Sequence, residues 1–204
     1  MDPIDFRSIR SFDGSQNTGF EQLCCQLARH DDAVPKGSVF HRLDGSGGDG
    51  GVECYWTHPN GDEWGYQSKY FFQLDKEQLY NSVREALAVH PRLRKYVVCI
   101  PFDLAGPTSR RGKSQVERWE EYVEEWRSLA LSMGMTVDFQ RWTSTDMEER
   151  LFRTPNTSQR IKYWFGKEKL FDIDWFSKQS GLPHASWARE MECILSCEEI
   201  EACP

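Results

Sequence analysis

Two runs of β-forming residues, at positions 52 to 57 and 64 to 72, are separated only by His58-Pro59-Asn60-Gly61-Asp62. The first run holds Val, Tyr, Trp and Thr, and the second is rich in Trp, Tyr and Phe. Such side chains suit a pleated, half-buried surface, and the Pro-Asn-Gly segment between them is a strong turn signal. The pattern predicts a β-hairpin, and the length of its loop decides which side chains share a face. A two-residue Asn60-Gly61 loop sets Glu53 opposite Ser68. A three-residue Pro59-Asn60-Gly61 loop, with Pro at the first turn position and Gly left-handed, sets Glu53 opposite Gln67. Lys69 then lies two residues further on that face.

The choice matters because of what the two strands carry. Gly47-Gly48-Asp49-Gly50-Gly51-Val52-Glu53 leads into the first, and Trp64-Gly65-Tyr66-Gln67-Ser68-Lys69 makes the second. Carboxylates hold a hard cation, and an amide carbonyl adds an oxygen ligand. A lysine ammonium orients an attacking water or offsets negative charge developing at phosphorus. Metal-dependent phosphodiester cleavage needs these groups together. The three-residue loop, or an equivalent bulge elsewhere, collects them.

This block resembles the PD-(D/E)xK nuclease superfamily, and within it the Mrr-like branch, whose usual form is a Gly-Asp-Gly-Gly-Val/Ile-acid stretch followed by Gln-x-Lys. The resemblance covers roughly residues 18 to 100, and more weakly as far as about 176. It implies a restriction-endonuclease-like α/β fold, a mixed β-sheet flanked by helices. It also implies an endonuclease that hydrolyses DNA with Mg²⁺, for which Mn²⁺ substitutes. On that pattern Glu53 is the principal metal ligand, Gln67 a further ligand through its side-chain carbonyl, and Lys69 the catalytic lysine. The Ser68 backbone carbonyl can complete the shell. Asp49, or Glu21 in the helical Phe20-Glu21-Gln22-Leu23, supplies the second acid. Glu53 stands where Asp is more usual. Gln67 replaces the Glu of the superfamily's name, an exchange common in the Mrr-like branch. The run from Gln67 to Phe71 also looks like N-terminal effector domains of bacterial antiphage ATPases. That implies a defence effector working as a homo-oligomer or with an attached sensor domain. Loss of catalysis on the same fold, leaving a module that binds DNA or protein, is the alternative.

The rest of the chain bounds these readings. With 204 residues, eight Trp and twelve Phe, it is long and apolar enough for one sizeable core. No stretch approaches the ~20 apolar residues of a membrane span. Met1-Asp2-Pro3-Ile4-Asp5-Phe6 has neither the basic start nor the apolar run of a signal peptide. A reducing cytoplasm is expected, with the seven Cys mostly free thiols. The net charge of −7 opposes tight nonspecific DNA binding unless basic residues cluster locally. Candidate clusters are Arg92, Arg94 and Lys95; Arg110, Arg111 and Lys113; and Lys162, Lys167 and Lys169. Each is read first as a solvated face.

Helical periodicity marks residues 18 to 29, 75 to 89 and 116 to 133, with shorter helices at 145 to 152, 158 to 165 and 174 to 179. Strands are expected at 38 to 42, 96 to 100 and 135 to 142, besides the hairpin. This order suits a sheet sandwiched by helices. One nuclease-like domain is expected over residues 1 to 180. An acidic, Cys-bearing tail over 181 to 204 follows, or a connection to a further domain. Gly112-Lys113-Ser114 imitates the end of a phosphate-binding loop, but Pro107 stands where that loop needs Gly. Cys24-Cys25 with His30, and Cys54 with His58, lack the spacing of a zinc site. The Trp and Tyr residues between 116 and 126 fall at helical spacing and are assigned to core.

Overall fold

The computed structural model describes residues 4–43, 50–107, 112–153 and 157–166. The chain divides between residues 165 and 166 into two units, and the fold below is that of residues 2–165. Asp49, Asp44, Arg110 and Arg111, the helix expected at 174 to 179 and the tail from 181 lie outside the described residues.

After a 3₁₀ turn at Phe6–Ser8, the elements are α1 (Gln16–Ala28), β1 (Val39–Arg42), β2 (Cys54–Thr57), β3 (Glu63–Ser68) and α2 (Lys76–Val89). Then follow β4 (Leu93–Cys99), α3 (Gln115–Ser132), β5 (Asp138–Trp142), α4 (Ser144–Arg153) and α5 (Thr157–Phe165). The five strands lie in sequence order. β1, β2 and β3 pair antiparallel, whereas β3, β4 and β5 pair parallel, so the sheet is mixed. This is the helix-flanked α/β architecture expected from the sequence. No helix among the described residues is long and apolar enough to cross a membrane.

The two parallel connections are α2 and α3, and both pack on one face. Leu79, Val83 and Leu87 of α2 meet Trp119, Val123 and Trp126 of α3 over Tyr96, Val98 and Phe139 of the sheet. The aromatic residues of α3 are thus core, as their spacing indicates. On the other face α1 buries Phe20, Leu23 and Leu27. Its Cys24 sulfur touches Met147 of α4 at 3.9 Å, and Trp164 of α5 donates to Gln26 at 3.0 Å. β4 is covered on both sides, which is why its run from Tyr96 to Cys99 is apolar throughout and fully buried.

Local chemistry sets the ends of these elements. Asp75 caps α2 by accepting from the Gln78 amide at 3.0 Å, and that bond holds its carboxyl below the usual carboxylate range. Ser114 and Glu117 form a reciprocal capping box at the start of α3. The phosphate-loop look of Gly112-Lys113-Ser114 is therefore a helix cap, and Lys113 pairs with Glu121.

The second hairpin strand is shorter than the run of β-formers, which reaches residue 72; β3 ends at Ser68. Lys69 still joins the ladder by donating to the Cys99 carbonyl at 2.9 Å. The next rung of a parallel ladder requires the N–H of residue 101, and residue 101 is proline. The Lys69 carbonyl instead accepts from Phe71 at 3.0 Å, turning the chain out of the sheet.

Two left-handed glycines, Gly50 (φ +58°) and Gly51 (φ +76°), bring the chain into β2. A Cβ on Gly51 would strike the Ser82 carbonyl oxygen and lie 2.5 Å from the Ala86 nitrogen, both backbone atoms of α2. The Gly51 carbonyl accepts from Tyr96 at 2.7 Å, fixing the approach from the sheet side. Gly51→Ala is predicted to cost about 2–4 kcal/mol, combining backbone strain with overpacking. Gly14→Ala, also left-handed (φ +80°) but facing open space, should cost only about 1–2 kcal/mol. Urea unfolding of both variants checks this; equal losses would contradict the close approach at Gly51.

Candidate functional site

The hairpin loop is the three-residue form. His58 and Asp62 close it, the His58 amide donating to the Asp62 carbonyl at 2.8 Å and the Gly61 amide to the His58 carbonyl at 2.8 Å. Gly61 is left-handed at φ +81°. The Asn60 side chain accepts from the Asp62 amide at 3.0 Å, and Arg92 donates to the Asn60 carbonyl at 2.5 Å. From this loop the register runs Thr57↔Glu63 through Cys54↔Tyr66.

One step further the register departs from simple alternation. The Glu53 amide donates to the Tyr66 carbonyl at 2.8 Å, although Tyr66 is already the partner of Cys54. Two residues of one strand thus address one residue of the other, which is a β-bulge. Val52 is thrown onto the α2 face, over Gly65. The Glu53 carboxylate comes to lie between neighbours of opposite parity. Its Oε1 accepts from Gln67 Nε2 at 2.7 Å and from the Ser68 hydroxyl at 3.2 Å.

The cluster is buried: Glu53 is 8% exposed, Gln67 2% and Ser68 7%. A carboxylate removed from water needs such donors. Gln67 spends its amide hydrogens on Glu53 and on the Ser68 carbonyl at 3.3 Å. Its carbonyl oxygen is left buried with no hydrogen-bond partner. An orphaned buried acceptor costs about 1–3 kcal/mol, and in a native fold it calls for an explanation such as an ion.

Lys69 follows at the end of the ladder, half-buried. It makes no ion pair with Glu53 and none with any other described residue, though its charge helps hold the Asp75 carboxyl down. The structure therefore brings Glu53, Gln67 and Ser68 into contact and sets Lys69 next in line. Glu21 is half-buried on α1. Among the described residues no group of three or more His, Cys, Asp or Glu side chains could hold a metal.

The other face holds groups that sequence reasoning passed over. The Tyr66 hydroxyl donates to Asp31 at 2.8 Å, and Asp31 also meets Arg150 at 3.4 Å. Burial, reinforced by the Asp31 carboxylate, pushes the Tyr66 phenol far above its ordinary value, so it stays a donor. Asp31-Asp32 looks like a pair of loop acids, and nothing local foretells a partner as distant in sequence as Arg150.

Four buried thiols, Cys24, Cys25, Cys54 and Cys99, lie between α1 and the sheet as free cysteines. Neighbouring thiols, Cys99 for Cys24 and Cys25 for Cys54, add to the effect of burial on their ionisation. Burial pushes both Cys24 and Cys54 well up. Of the histidines considered beside them, His58 bonds the Ser38 hydroxyl at 2.7 Å and His30 is exposed.

Of the basic clusters, Arg92 and Arg94 both reach Asp62, and Lys95 lies 3.5 Å from the Trp64 ring centre, so that cluster fastens the hairpin. Compared with known proteins, the chain matches no family model and no curated protein.

Thiols this buried should be inert in the folded chain. Treatment with a thiol-specific reagent, followed by peptide mapping, should leave Cys24, Cys25, Cys54 and Cys99 unmodified until denaturant is added. Modification of Cys54 in the native chain would show that the space between α1 and the sheet opens to solvent.

Proposed function

We propose that this protein is a metal-dependent endonuclease that hydrolyses DNA phosphodiester bonds. The observation that supports the reading most is the orphaned Gln67 carbonyl beside the buried Glu53 carboxylate. Two oxygen donors of the hard-cation type converge there, and the fully buried one lacks a partner. Glu53 and the Gln67 carbonyl would hold Mg²⁺ or Mn²⁺, with Asp49 or Glu21 as the second acid. The ion would supply Lewis-acid polarisation of the phosphodiester. Ser68 holds the Glu53 carboxylate in place. Lys69, free of ion pairs with described residues, offers its ammonium to an attacking water or to a phosphate oxygen.

A catalytically silent nuclease-fold module is the second reading. One observation favours it: the described residues contain no larger metal-capable acidic cluster. Plasmid cleavage with Mg²⁺ and Mn²⁺ decides between the two. Glu53→Gln and Lys69→Ala should each lower cleavage by at least about 100-fold. Glu53→Gln keeps an acceptor for Gln67 and Ser68, so it should remain folded and lose the thermal shift produced by metal. An unchanged metal response in that variant would move the centre elsewhere. No cleavage by the parent chain, alone or clustered, would leave the silent module.

The role we propose is an antiphage effector held quiet until copies assemble. At a net charge of −7 a lone chain should hold DNA weakly at physiological salt. Held together by an oligomeric or sensor partner, weak contacts add as avidity. Fusion to an oligomerising partner should therefore raise cleavage far more steeply than in proportion to copy number. Strong, concentration-independent cleavage by the monomer would sink this mode of control and leave the nuclease assignment standing.

A further inference from the structure

The segment ahead of α1 is pinned along its length, yet it presents two arginines to solvent. Ile4, Phe6 and Ile9 are buried, while Asp5, Arg7 and Arg10 between and beyond them are exposed. Gln16 of α1 donates its side-chain amide to the Arg7 and Ile9 carbonyls, both at 2.9 Å. The Arg10 amide donates to the Trp164 carbonyl at 2.7 Å. A Cβ on Gly19 would strike the Arg10 carbonyl oxygen, so the segment lies directly against α1. The backbone under both arginines is therefore ordered before any ligand arrives, and binding through them need not bear that entropic cost.

The same segment meets the two elements that carry Lys69 and Glu21. Tyr70, the residue after Lys69, donates its hydroxyl to the Phe6 carbonyl at 3.0 Å. Tyr70 and Phe6 both pack on Phe20, the neighbour of Glu21 on α1, with ring centres 5.4 and 6.1 Å away. The Arg7 guanidinium lies 4.1 Å from the ring centre of Phe72, on the stretch that leaves the sheet beyond Lys69. Arg10 lies 4.9 Å from the ring centre of Tyr163, which also lines a cleft of about 500 Å³ between α1 and α5. A guanidinium held over a ring keeps its N–H donors at its edge, and these match two oxygens of a phosphate. The acid of the segment, Asp5, directs Oδ1 to the Arg7 backbone amide at 2.9 Å. Neither arginine forms an ion pair with a described residue.

We infer that this segment is a phosphate clamp for the DNA strand that reaches Lys69, with Arg7 on a phosphate near the one to be cut and Arg10 on another further along. The inference rests on the nuclease reading for the class of ligand. Three residues of chain span at most about 11 Å. Phosphates of one strand follow each other every ~3.4 Å along the duplex axis, so both arginines can serve one strand within a few nucleotides. The clamp gives an acidic chain a fixed hold on a polyanion, placed by direct contact with the elements of the candidate site. Phe72 and Tyr163 act through the arginines, as the surfaces that aim them.

The test is binding, measured apart from cleavage. A fluorescently labelled short DNA duplex is titrated with the full chain in chelator, and anisotropy is followed at several low salt concentrations. Arg7→Gln should lower the slope of log affinity against log salt by about 1, and Arg7→Gln with Arg10→Gln by about 2. The double variant should bind at least about 10-fold more weakly at the lowest salt. Arg7→Lys keeps the charge and should keep the slope, while binding more weakly than the parent because the fork is lost. Phe72→Leu should likewise keep the slope and weaken binding. Arg92→Gln with Arg94→Gln should stay within about twofold of the parent. An unchanged affinity and slope in the Arg7, Arg10 double variant would overturn the clamp, and cleavage by that variant at the parent's rate would leave the nuclease reading standing. Loss of the slope in Arg7→Lys as well would assign the effect to folding and overturn the clamp, as would a parent chain that does not bind the duplex. A duplex held through the two arginines but never cut with Mg²⁺ or Mn²⁺ present would sink the nuclease reading and leave the clamp in place.

Discussion

The single hydrogen bond from the Glu53 amide to the Tyr66 carbonyl organises the candidate site. It inserts an extra residue into the first hairpin strand and so breaks the two-residue alternation. Without it, Glu53 would meet Gln67 alone. With it, one carboxylate touches both Gln67 and Ser68, while Val52 is sent to the opposite face to fill the space over Gly65. The bulge is held from both sides. Gly51 lies against the backbone of α2, and the Tyr96 hydroxyl grips the Gly51 carbonyl. The geometry of the candidate site thus depends on backbone fit, and at Gly51 a side chain would not fit.

Much of this was legible in the sequence. Turn chemistry offered the Pro59-Asn60-Gly61 loop beside a two-residue Asn60-Gly61 form, while α2 followed from Asp75 and Pro91, and the buried strand β4 from its unbroken apolar run. The meeting of Glu53 with Gln67 followed from the loop. The bulge did not, because it arises from packing of Gly51 on a helix encountered later in the chain. The early end of β3 was hidden differently. The propensities of Tyr70, Phe71 and Phe72 favour a strand, but the missing donor belongs to Pro101 on the neighbour. The buried Asp31 with Tyr66 and Arg150, and the cleft between α1 and α5, also join residues far apart in sequence.

Charge is distributed as unevenly as shape. The basic residues that stand closest in sequence, Arg92, Arg94 and Lys95, are used internally on Asp62 and Trp64. Arg29 and Arg160, distant in sequence, line one cleft between α1 and α5. Net charge measures the background against which a local patch acts, and it does not locate the patch.

The sequential order of the strands has a consequence for how the chain acquires its structure. Every strand pairs with its neighbour in sequence, so each pairing closes a comparatively short loop. Loop-closure entropy is then lost in small steps. The hairpin that joins Glu53 to Gln67 and Ser68 is complete in sequence by residue 68, before any of α2 has been made. The hairpin register alone sets Glu53 opposite Gln67, whereas the bulge that adds Ser68 waits for Gly51 to pack on α2, so the second donor reaches the carboxylate only with that packing.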